Sequence, residues 1–358
     1  MIGILGATGE AGRALTRLLS CHGLPLRLGA PRVGTLEGSA HQVVHVDPAD
    51  ADALARFCAG CVIVVDCTGP ARRAVADAVF AVGADLVTLA GDSAHERVRS
   101  CVPAGRRAVL SAGSLPGLAG LLPLLAVEGL GQVRRLQCLS GGLAPLCPET
   151  ARLFLPGGPA DDGEPFAERR NGRRRSCALS PVQGVALPCF PDGLSACPRL
   201  PAELDRTAAS LGVPDARWYD VLPSGRADAV LARLWSPTAA ADPADVLEEL
   251  RTAVRLDAIG RAGYHRLVVQ AESAAGASRT LVVGSADGRE PAAVVTAAAV
   301  TALIDRRVPA GAHRAAEVVD PAELRAALLE RPGITLTESA DRLAVIEPPG
   351  WMRPRIAG

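Results

Sequence analysis

The residues whose types and spacing best fit a chemical role lie at the start of the chain. Apolar residues 2–5 run into a glycine-rich turn, and a helical pattern of leucines follows at Leu15, Leu18 and Leu19. A strand, a glycine turn and a helix in this order bring bare backbone amides to a positive helix N-terminus, where a pyrophosphate can approach closely. The turn therefore predicts a dinucleotide site, formed by Gly6, Ala7, Thr8, Gly9, Glu10, Ala11 and Gly12. A nucleotide-type domain with an empty site is the alternative.

The next strand, predicted over residues 24–30, indicates which dinucleotide binds. The position after such a strand faces the adenosine ribose, where an acidic residue would accept hydrogen bonds from the 2′-hydroxyl. No Asp or Glu stands there, and Arg32 follows instead. An arginine suits a 2′-phosphate, so the sequence favours NADP(H) over NAD. A solvated loop charge is the alternative for Arg32.

A third candidate segment lies at the end of the continuous β-branched run 62–67, which is typical of a central parallel strand buried on both faces. In a doubly wound sheet, ligands lie outside the carboxyl ends of the strands. Cys67, Thr68, Gly69 and Pro70 are therefore predicted to border the nicotinamide half of the cofactor. An ordinary strand-to-helix turn would carry the same Gly-Pro signal.

Hydride transfer to a carbon–heteroatom bond also needs a proton donor within reach of the heteroatom. The candidates are Tyr219, His265 and Asp92. Each has a structural alternative: Tyr219 as a core aromatic, His265 as part of an apolar strand, and Asp92 as the cap of a helix. An iminium substrate needs no strong acid, because its nitrogen already carries the proton.

Six strand–helix units within residues 1–127 supply the elements that position these residues, and they predict a complete Rossmann-type nucleotide domain. After residue 127 the apolar periodicity becomes less regular and the connections are rich in proline, which indicates a second domain. Inside it, Asn171-Gly172 predicts a two-residue hairpin. The hairpin carries arginines that either clamp an anionic substrate group or form a solvated strand edge: Arg169, Arg170, Arg173, Arg174 and Arg175. Residues 264–272 and 280–284 are predicted to pair as strands, and 291–304 to form a helix.

Composition excludes several classes of function. The 38 basic residues, all arginine, balance 38 acidic ones, which leaves no basic excess for nucleic acid or an anionic membrane. The absence of lysine excludes Schiff-base chemistry, a Walker A loop and a Tyr-x-x-x-Lys pair. Ten scattered cysteines, with one C-x-x-C at Cys58 and Cys61, predict core thiols and no metal site. With no apolar run of spanning length and a strand from residue 2, we expect a cytoplasmic protein without a signal peptide.

Four segments in order, 6–12, 66–70, 85–92 and 112–118, resemble the saccharopine dehydrogenase-like reductases. The similarity continues at 296–298 and 308–311, where that family's chain returns to its nucleotide domain. The resemblance covers residues 1–125 and 285–335, and the middle is only loosely similar. It implies an α/β fold in which residues 1–127 and 287–358 form a doubly wound parallel sheet domain and 128–286 form an inserted α+β substrate and dimerisation domain with a mixed or antiparallel sheet.

The resemblance also implies a nicotinamide cofactor and hydride transfer to a C=N or similar bond. Asp92 and the loop Ser114, Leu115, Pro116 and Gly117 would then face the substrate. Family members that use a lysine acid cannot be the template, and nothing in the second domain indicates saccharopine itself as the substrate.

The resulting expectation is an NADPH-dependent reductase of an imine-type bond in an amino-acid-derived or carrier-protein-bound substrate of amino-acid or secondary metabolism. An enoyl or carbonyl thioester reductase is the first alternative, and it would need an oxyanion donor. A non-catalytic NADP-binding protein is the second. A homodimer is expected, because an inserted open sheet has edges to pair.

Overall fold

The computed structural model describes residues 1–36, 39–69, 72–146, 148–155, 163–187, 189–191, 193–235 and 243–343. The chain divides into two compact units. The first joins Met1–Leu121 to Gly288–Arg331, and the second joins Leu122–Asp287 to the residues from Pro332 onwards. The chain therefore leaves the first unit and later returns to it.

The first unit is built on a sheet of seven parallel strands. In chain order they are β1 (Ile2–Leu5), β2 (Leu26–Ala30), β3 (Gln42–His45), β4 (Ile63–Asp66), β5 (Asp85–Thr88), β6 (Arg107–Leu110) and β16 (Gly311–Arg314). Their order in space is β16-β6-β5-β4-β1-β2-β3, with parallel pairing throughout. The strand order reverses between β1 and β4, which is the switch point of a doubly wound sheet. The predicted Rossmann-type fold is confirmed.

Helices connect and cover these strands. They are α1 (Glu10–Cys21), α2 (Ala51–Cys58), α3 (Arg73–Ala81), α4 (Asp92–Arg99), α10 (Arg289–Ile304), α11 (Ala315–Val318) and α12 (Pro321–Leu329), with a 3-10 turn at Gly34–Leu36. A further helix, α5 (Leu118–Val127), begins in the first unit and ends in the second. Sequence signals set several of their bounds. Asp50 starts α2 by accepting hydrogen bonds from the amides of Asp52 (2.9 Å) and Ala53 (3.1 Å). Pro321 stands at the first turn of α12, where its missing N–H costs nothing.

The core of the first unit follows from its apolar spacing. All four residues of β4 are buried, as the continuous apolar run predicts. Leu54 and Phe57 of α2 and Val75 and Val79 of α3 pack into the same cluster as Val64 of β4.

The second unit contains a mixed sheet. Its main path is β10-β9-β13-β7-β14-β15-β17, formed by β7 (Val133–Leu143), β9 (Glu168–Arg170), β10 (Arg173–Arg175), β13 (Asp215–Pro223), β14 (Tyr264–Ser273), β15 (Ser278–Ser285) and β17 (Ile334–Ser339). Beside this path lie β8 (Glu164–Pro165), β11 (Val182–Ala186) and β12 (Gly193–Leu200). The strands β7 and β13 pair in parallel, and the other described pairings are antiparallel. The described helices are α6 (Pro148–Arg152), α7 (Ala202–Ser210), α8 (Arg226–Leu234) and α9 (Pro243–Asp257).

Alternation along the strands gives this sheet two apolar faces. Tyr219 of β13 packs with Leu139 and Val268 in one cluster. Leu222, three residues further along β13, packs with Leu231 of α8 in another.

Local signals of the second domain are confirmed. Arg170 pairs with Arg173, so Asn171 and Gly172 form a two-residue loop between β9 and β10. Both residues have positive φ, 51° and 75°, as a type I′ turn requires. The predicted strand pair is β14 and β15. The helix predicted over 291–304 is α10, which belongs to the first unit.

Residues 334–339 correct the predicted domain division. The resemblance assigns all of 287–358 to the first domain, but β17 pairs along its full length with β15 of the second sheet. Ile334 and Leu336 alternate with the exposed Thr335 and Thr337, which is the period of a half-buried strand. An edge strand at β15 has unpaired backbone groups, and β17 satisfies them.

Within the part of the chain that the structure describes, no helix combines the length and the apolar character needed to cross a membrane.

Candidate functional site

Three glycines shape the turn between β1 and α1. Gly6 has φ +82°, and a Cβ there would lie 3.0 Å from the carbonyl carbon and oxygen of Cys67. Gly12 is the third residue of α1, and its Cβ would lie 2.3 Å from the carbonyl oxygen of Gly6. Gly9 is the N-cap of α1, and its Cβ would meet the same oxygen at 3.2 Å. Gly6 and Gly12 are therefore required by close packing of the protein itself, while Gly9 leaves the helix start uncovered.

The amides of this turn fall into two groups. Those of Gly6 and Ala7 donate to the carbonyl oxygen of Gly29 in β2, at 2.8 and 3.1 Å, and that of Gly9 donates to Gly6 at 3.0 Å. The first amides of α1, from Glu10 onwards, have no carbonyl one turn earlier to accept them. They lie at the positive end of the helix, so the turn fits a pyrophosphate group.

The other predicted turn residues differ in exposure. Ala7 is buried, whereas Thr8 and Ala11 are partly exposed. Glu10 is exposed and forms an ion pair with Arg289 at 2.9 Å. Because Arg289 compensates its charge, Glu10 does not make the start of α1 uniformly negative.

Arg32 lies two residues past the end of β2 and is exposed. The last residue of β2, Ala30, is buried and pairs with His45 of β3. Arg32 thus lies just after the end of β2, as predicted, and its neighbours Pro31 and Val33 are not acidic.

The segment after β4 contains a feature that sequence reasoning missed. Asp66, the last residue of β4, is 2% exposed and accepts two hydrogen bonds from Thr68, from the amide at 2.9 Å and from the hydroxyl at 2.6 Å. Cys67 and Thr68 are partly buried, and Gly69 is exposed with φ +105°. Burial raises the pKa of the Cys67 thiol, which excludes a reactive thiolate there. Pro70 lies outside the described residues.

An acidic residue ending a wholly apolar strand was the available signal for Asp66. It could have been read as a buried acid at the carboxyl edge of the sheet, where ligands bind.

The segments after β5 and β6 lie against each other. A Cβ on Gly91 would be 3.1 Å from Cγ of Pro116. The amide of Gly113 donates to the carbonyl oxygen of Pro116 at 3.1 Å. Gly117 has φ +129°, and a Cβ there would lie 2.2 Å from the oxygen of Gly113. The predicted substrate residues from Ser114 to Gly117 thus form a closed loop, with Ser114, Leu115 and Pro116 partly exposed.

Asp92 is the first residue of α4, after the N-cap Gly91, and its side chain lies outside the described part of the structure. A second residue that the sequence did not indicate is Thr296 of α10. Its buried hydroxyl contacts the carbonyl oxygens of Ala112 at 2.5 Å and Ala292 at 2.9 Å. The returning helix is thereby tied to the start of the loop after β6.

Tyr219 lies in the second unit and is 1% exposed. It packs among Leu139, Leu194 and Val268 in an apolar cluster. This environment fits the alternative of a core aromatic better than a proton donor.

His265 lies near the start of β14, also in the second unit. Its Nε2 is 3.4 Å from the hydroxyl of Ser140 on β7. Burial lowers the pKa of His265 to about 4, while the charges of Asp287 and Asp220 raise it. The imidazole is therefore neutral at pH 7, so it can accept a hydrogen bond but is both a weak base and a poor acid.

The carboxylate of Asp220 near this histidine is itself buried and paired. It receives hydrogen bonds from Arg199 Nε at 2.7 Å and from the indole of Trp218 at 2.9 Å. The structure thus brings His265, Ser140 and a buried ion pair together on one side of the sheet, which the sequence did not indicate.

The hairpin arginines include a pair bound to an acidic residue of the protein and a pair exposed on the last strand. Arg169 and Arg174 both bind Asp205, at 3.0 and 2.9 Å. Arg173 and Arg175 are exposed on β10, the last strand of the sheet. The first pair stabilises the hairpin, and the second pair fits a solvated strand edge.

Within the described residues, no group of three or more His, Cys, Asp or Glu side chains could hold a metal ion. Cys58 and Cys61 are buried in the core of the first unit. Burial raises the pKa of Cys58 to about 12, as expected for a core thiol.

These observations define a class of protein. A doubly wound parallel sheet, with a glycine turn packed against the strand across its switch point, is a dinucleotide-binding fold of the Rossmann type. Over the whole chain the fold is that of saccharopine dehydrogenase. The apo histidine-tagged saccharopine dehydrogenase (L-Glu forming) from Saccharomyces cerevisiae matches 96% of this chain and 99% of its own, with a TM-score of 0.66 and 13% identity. The predicted resemblance is confirmed at the level of the fold.

Two other solved structures match shorter parts. A short-chain dehydrogenase/reductase superfamily protein from Agrobacterium tumefaciens with bound NAD is 23% identical, over 25% of this chain and 31% of its own, with a TM-score of 0.22. The Citrobacter sp. triphenylmethane reductase complexed with NADP(H) is 18% identical, over 24% of this chain and 36% of its own, with a TM-score of 0.22. No protein-family model and no curated protein matches the chain.

Proposed function

We propose that the chain is an NADPH-dependent oxidoreductase that reduces the C=N bond of an amino-acid-derived or carrier-bound substrate in amino-acid or secondary metabolism. The observation that carries the oxidoreductase class is the glycine turn of β1 and α1, in a fold that matches saccharopine dehydrogenase over 96% of the chain. A fold alone does not fix a function, so the proposal rests on the site.

The turn fits a dinucleotide. Gly6 and Gly12 close the turn onto the end of β4 and the start of α1, and the first amides of α1 remain as donors for two phosphates. When bound, the nicotinamide cofactor supplies the hydride. The residues of this chain bind and orient it through the turn and through Thr68 and Gly69 at the end of β4.

Arg32 supports NADP(H) over NAD(H). Its guanidinium is exposed beyond β2, where the 2′ position of the adenosine ribose lies in this fold. A planar guanidinium can bind a phosphate through two parallel hydrogen bonds.

Two of the three candidate proton donors are unsuited to that role, which favours a C=N substrate over a carbonyl. Tyr219 is enclosed in an apolar cluster, and His265 is neutral at pH 7 because burial lowers its pKa to about 4. A carbonyl or thioester would require a donor for the developing oxyanion. An iminium nitrogen already carries its proton, so its reduction needs no acidic side chain.

We further propose a homodimer built on the second sheet. The path of this sheet ends in β10 on one side and β17 on the other, and neither has a described partner strand beyond it. Sedimentation at several concentrations tests this, and a monomer at all of them would contradict it.

The function is tested by titrating the purified protein with NADPH and NADH and following nicotinamide fluorescence. We expect NADPH to bind more tightly. Arg32→Ala should weaken NADPH binding about tenfold or more and leave NADH binding unchanged, because a charge-assisted hydrogen bond contributes about 1.5–3 kcal/mol. Arg56→Ala is the matched control, since Arg56 is an exposed arginine of α2.

Binding is then followed by turnover of NADPH with cyclic imines and, separately, with enoyl and carbonyl thioesters. Oxidation of NADPH with imines but not with thioesters supports the proposal. Oxidation of NADPH with thioesters only would make thioesters the substrate class in place of imines. NADPH binding without turnover of any substrate would favour a non-catalytic cofactor-binding protein. Failure to bind either nucleotide contradicts the function altogether.

A further inference from the structure

Asp66 has a carboxylate that forms no hydrogen bond with the described residues of the glycine turn. The residue ends β4, is 2% exposed, and holds one oxygen, Oδ1, against the amide and hydroxyl of Thr68 at 2.9 and 2.6 Å. Two donors on one oxygen fix the orientation of the carboxyl group. The other oxygen, Oδ2, receives no hydrogen bond from any residue in the described part of the chain.

This arrangement leaves one oxygen of a largely buried carboxyl group open to a ligand. Oδ2 is not among the described side-chain atoms that are both fully buried and unpartnered, so it reaches the surface, where a hydrogen-bond donor can approach it. Burial raises the pKa of Asp66, while the hydrogen bonds from Thr68 and the charge of Arg72 lower it. The carboxyl group is thus oriented and only half satisfied.

The position of Asp66 limits the ligand that could supply the donor. The end of β4 adjoins the glycine turn, because a Cβ on Gly6 would lie 3.0 Å from the backbone of Cys67 and 3.2 Å from Cγ2 of Thr68. The strand β4 pairs with β1 on the side opposite to β2. In a doubly wound sheet, the adenosine half of a dinucleotide lies over the β1–β2 side and the nicotinamide half over the β4 side.

The chemistry of the ligand group follows from the charge. A phosphate would be repelled by a carboxylate, whereas a neutral hydroxyl can donate to it. The first group beyond the pyrophosphate on the β4 side is the nicotinamide ribose, which carries two hydroxyls.

We propose that Oδ2 of Asp66 accepts a hydrogen bond from a hydroxyl of the nicotinamide ribose, and that Thr68 holds the carboxyl group in place for it. This rests on the proposed function, since it requires a dinucleotide in the glycine turn. Asp66 is then a binding residue that fixes the cofactor on the side where hydride leaves, and Thr68 is a positioning residue.

The test compares two ligands by isothermal titration calorimetry: NADPH, and 2′,5′-ADP, which has the adenosine half but no nicotinamide ribose. In Asp66→Asn the amide oxygen still accepts from Thr68, so the amide nitrogen takes the place of Oδ2 and cannot accept a hydrogen bond. We expect NADPH to bind about tenfold more weakly and 2′,5′-ADP to bind as in the wild type. Asp77→Asn makes the same change at an exposed carboxylate of α3 and should bind NADPH as the wild type does.

A second measurement removes the ribose hydroxyls, which are the other partner of the proposed hydrogen bond. A cofactor analogue without hydroxyls on its nicotinamide ribose should bind the wild type about tenfold more weakly than NADPH does, and Asp66→Asn should weaken it no further. The wild-type measurement decides the proposal by itself if Asp66→Asn does not fold. Unchanged NADPH binding in Asp66→Asn, equal losses for both ligands, or an analogue that binds like NADPH would overturn it. A wild type that binds neither NADPH nor 2′,5′-ADP overturns the proposed function instead.

Discussion

Replacing Gly12 by alanine tests the packing on which the glycine turn depends. The added Cβ would lie 2.3 Å from the carbonyl oxygen of Gly6 and 2.8 Å from Cα of Ala7. Both neighbours are backbone atoms, so no side chain can rotate away. The start of α1 must move outward by roughly 1 Å, which disturbs the packing of Leu15 and Leu19, each 1% exposed.

The magnitude follows from two opposing effects. Overpacking of this kind costs about 1–3 kcal/mol, and alanine recovers up to about 1 kcal/mol of helix propensity relative to glycine. We therefore expect Gly12→Ala to lower the free energy of unfolding by about 1–2 kcal/mol, or the melting temperature by roughly 2–8 °C. Urea unfolding and calorimetry measure the change. Gly34→Ala is the control, because a Cβ on Gly34 meets nothing within 4 Å.

Gly9 separates packing from binding. A Cβ there would meet the oxygen of Gly6 at 3.2 Å, a contact that a shift of a few tenths of an ångström relieves. Gly9→Ala should therefore fold nearly as well as the wild type and still lose NADPH affinity, since the methyl group covers the start of α1. A Gly12→Ala protein as stable as the Gly34→Ala protein, or a Gly9→Ala protein with wild-type affinity, would refute this reasoning.

Two further predictions concern the second unit. The pKa of His265 is 6.5 in the unfolded chain and about 4 in the folded one, so the unfolded state binds the proton first as pH falls. Stability should drop by up to about 3 kcal/mol from pH 6.5 to 4, and His265→Gln, but not His22→Gln, should flatten this dependence in urea unfolding at several pH values. An unchanged slope in His265→Gln would contradict it. Arg199→Met leaves the buried carboxylate of Asp220 without its arginine and should cost about 3–5 kcal/mol, whereas Arg73→Met breaks the exposed pair with Asp77 and should cost under about 1 kcal/mol. Similar urea midpoints for the two arginine variants would contradict the prediction that breaking the buried ion pair costs more stability than breaking the exposed one.

The first unit was predictable because its signals are local. The glycine turn, the continuous apolar strand at β4 and the cap Asp50 each lie within a few residues of the element they define. The hairpin at Asn171-Gly172 belongs to the same category, since both φ angles are set by the two residues themselves.

Long-range pairing is what the sequence did not indicate. The strand β17 carries six ordinary residues, and only its register with β15 assigns it to the second sheet. Similarly, Ser140 and His265 are 125 residues apart, and they meet because β7 and β14 are neighbours in the sheet. No spacing rule links such positions before the strand order is known.

Asp66 shows why a functional residue can escape a search by motif. The sequence directed attention to the residues after the strand, Cys67 to Pro70, because turns carry the recognisable signals. Yet the amide and the hydroxyl of Thr68 both donate to Asp66. Thr68, which the sequence pattern selected, therefore orients the carboxyl group of Asp66. An acid at the end of an apolar strand is unfavourable for folding alone, and the energetic cost of burying it is the stronger indication that the position serves a ligand.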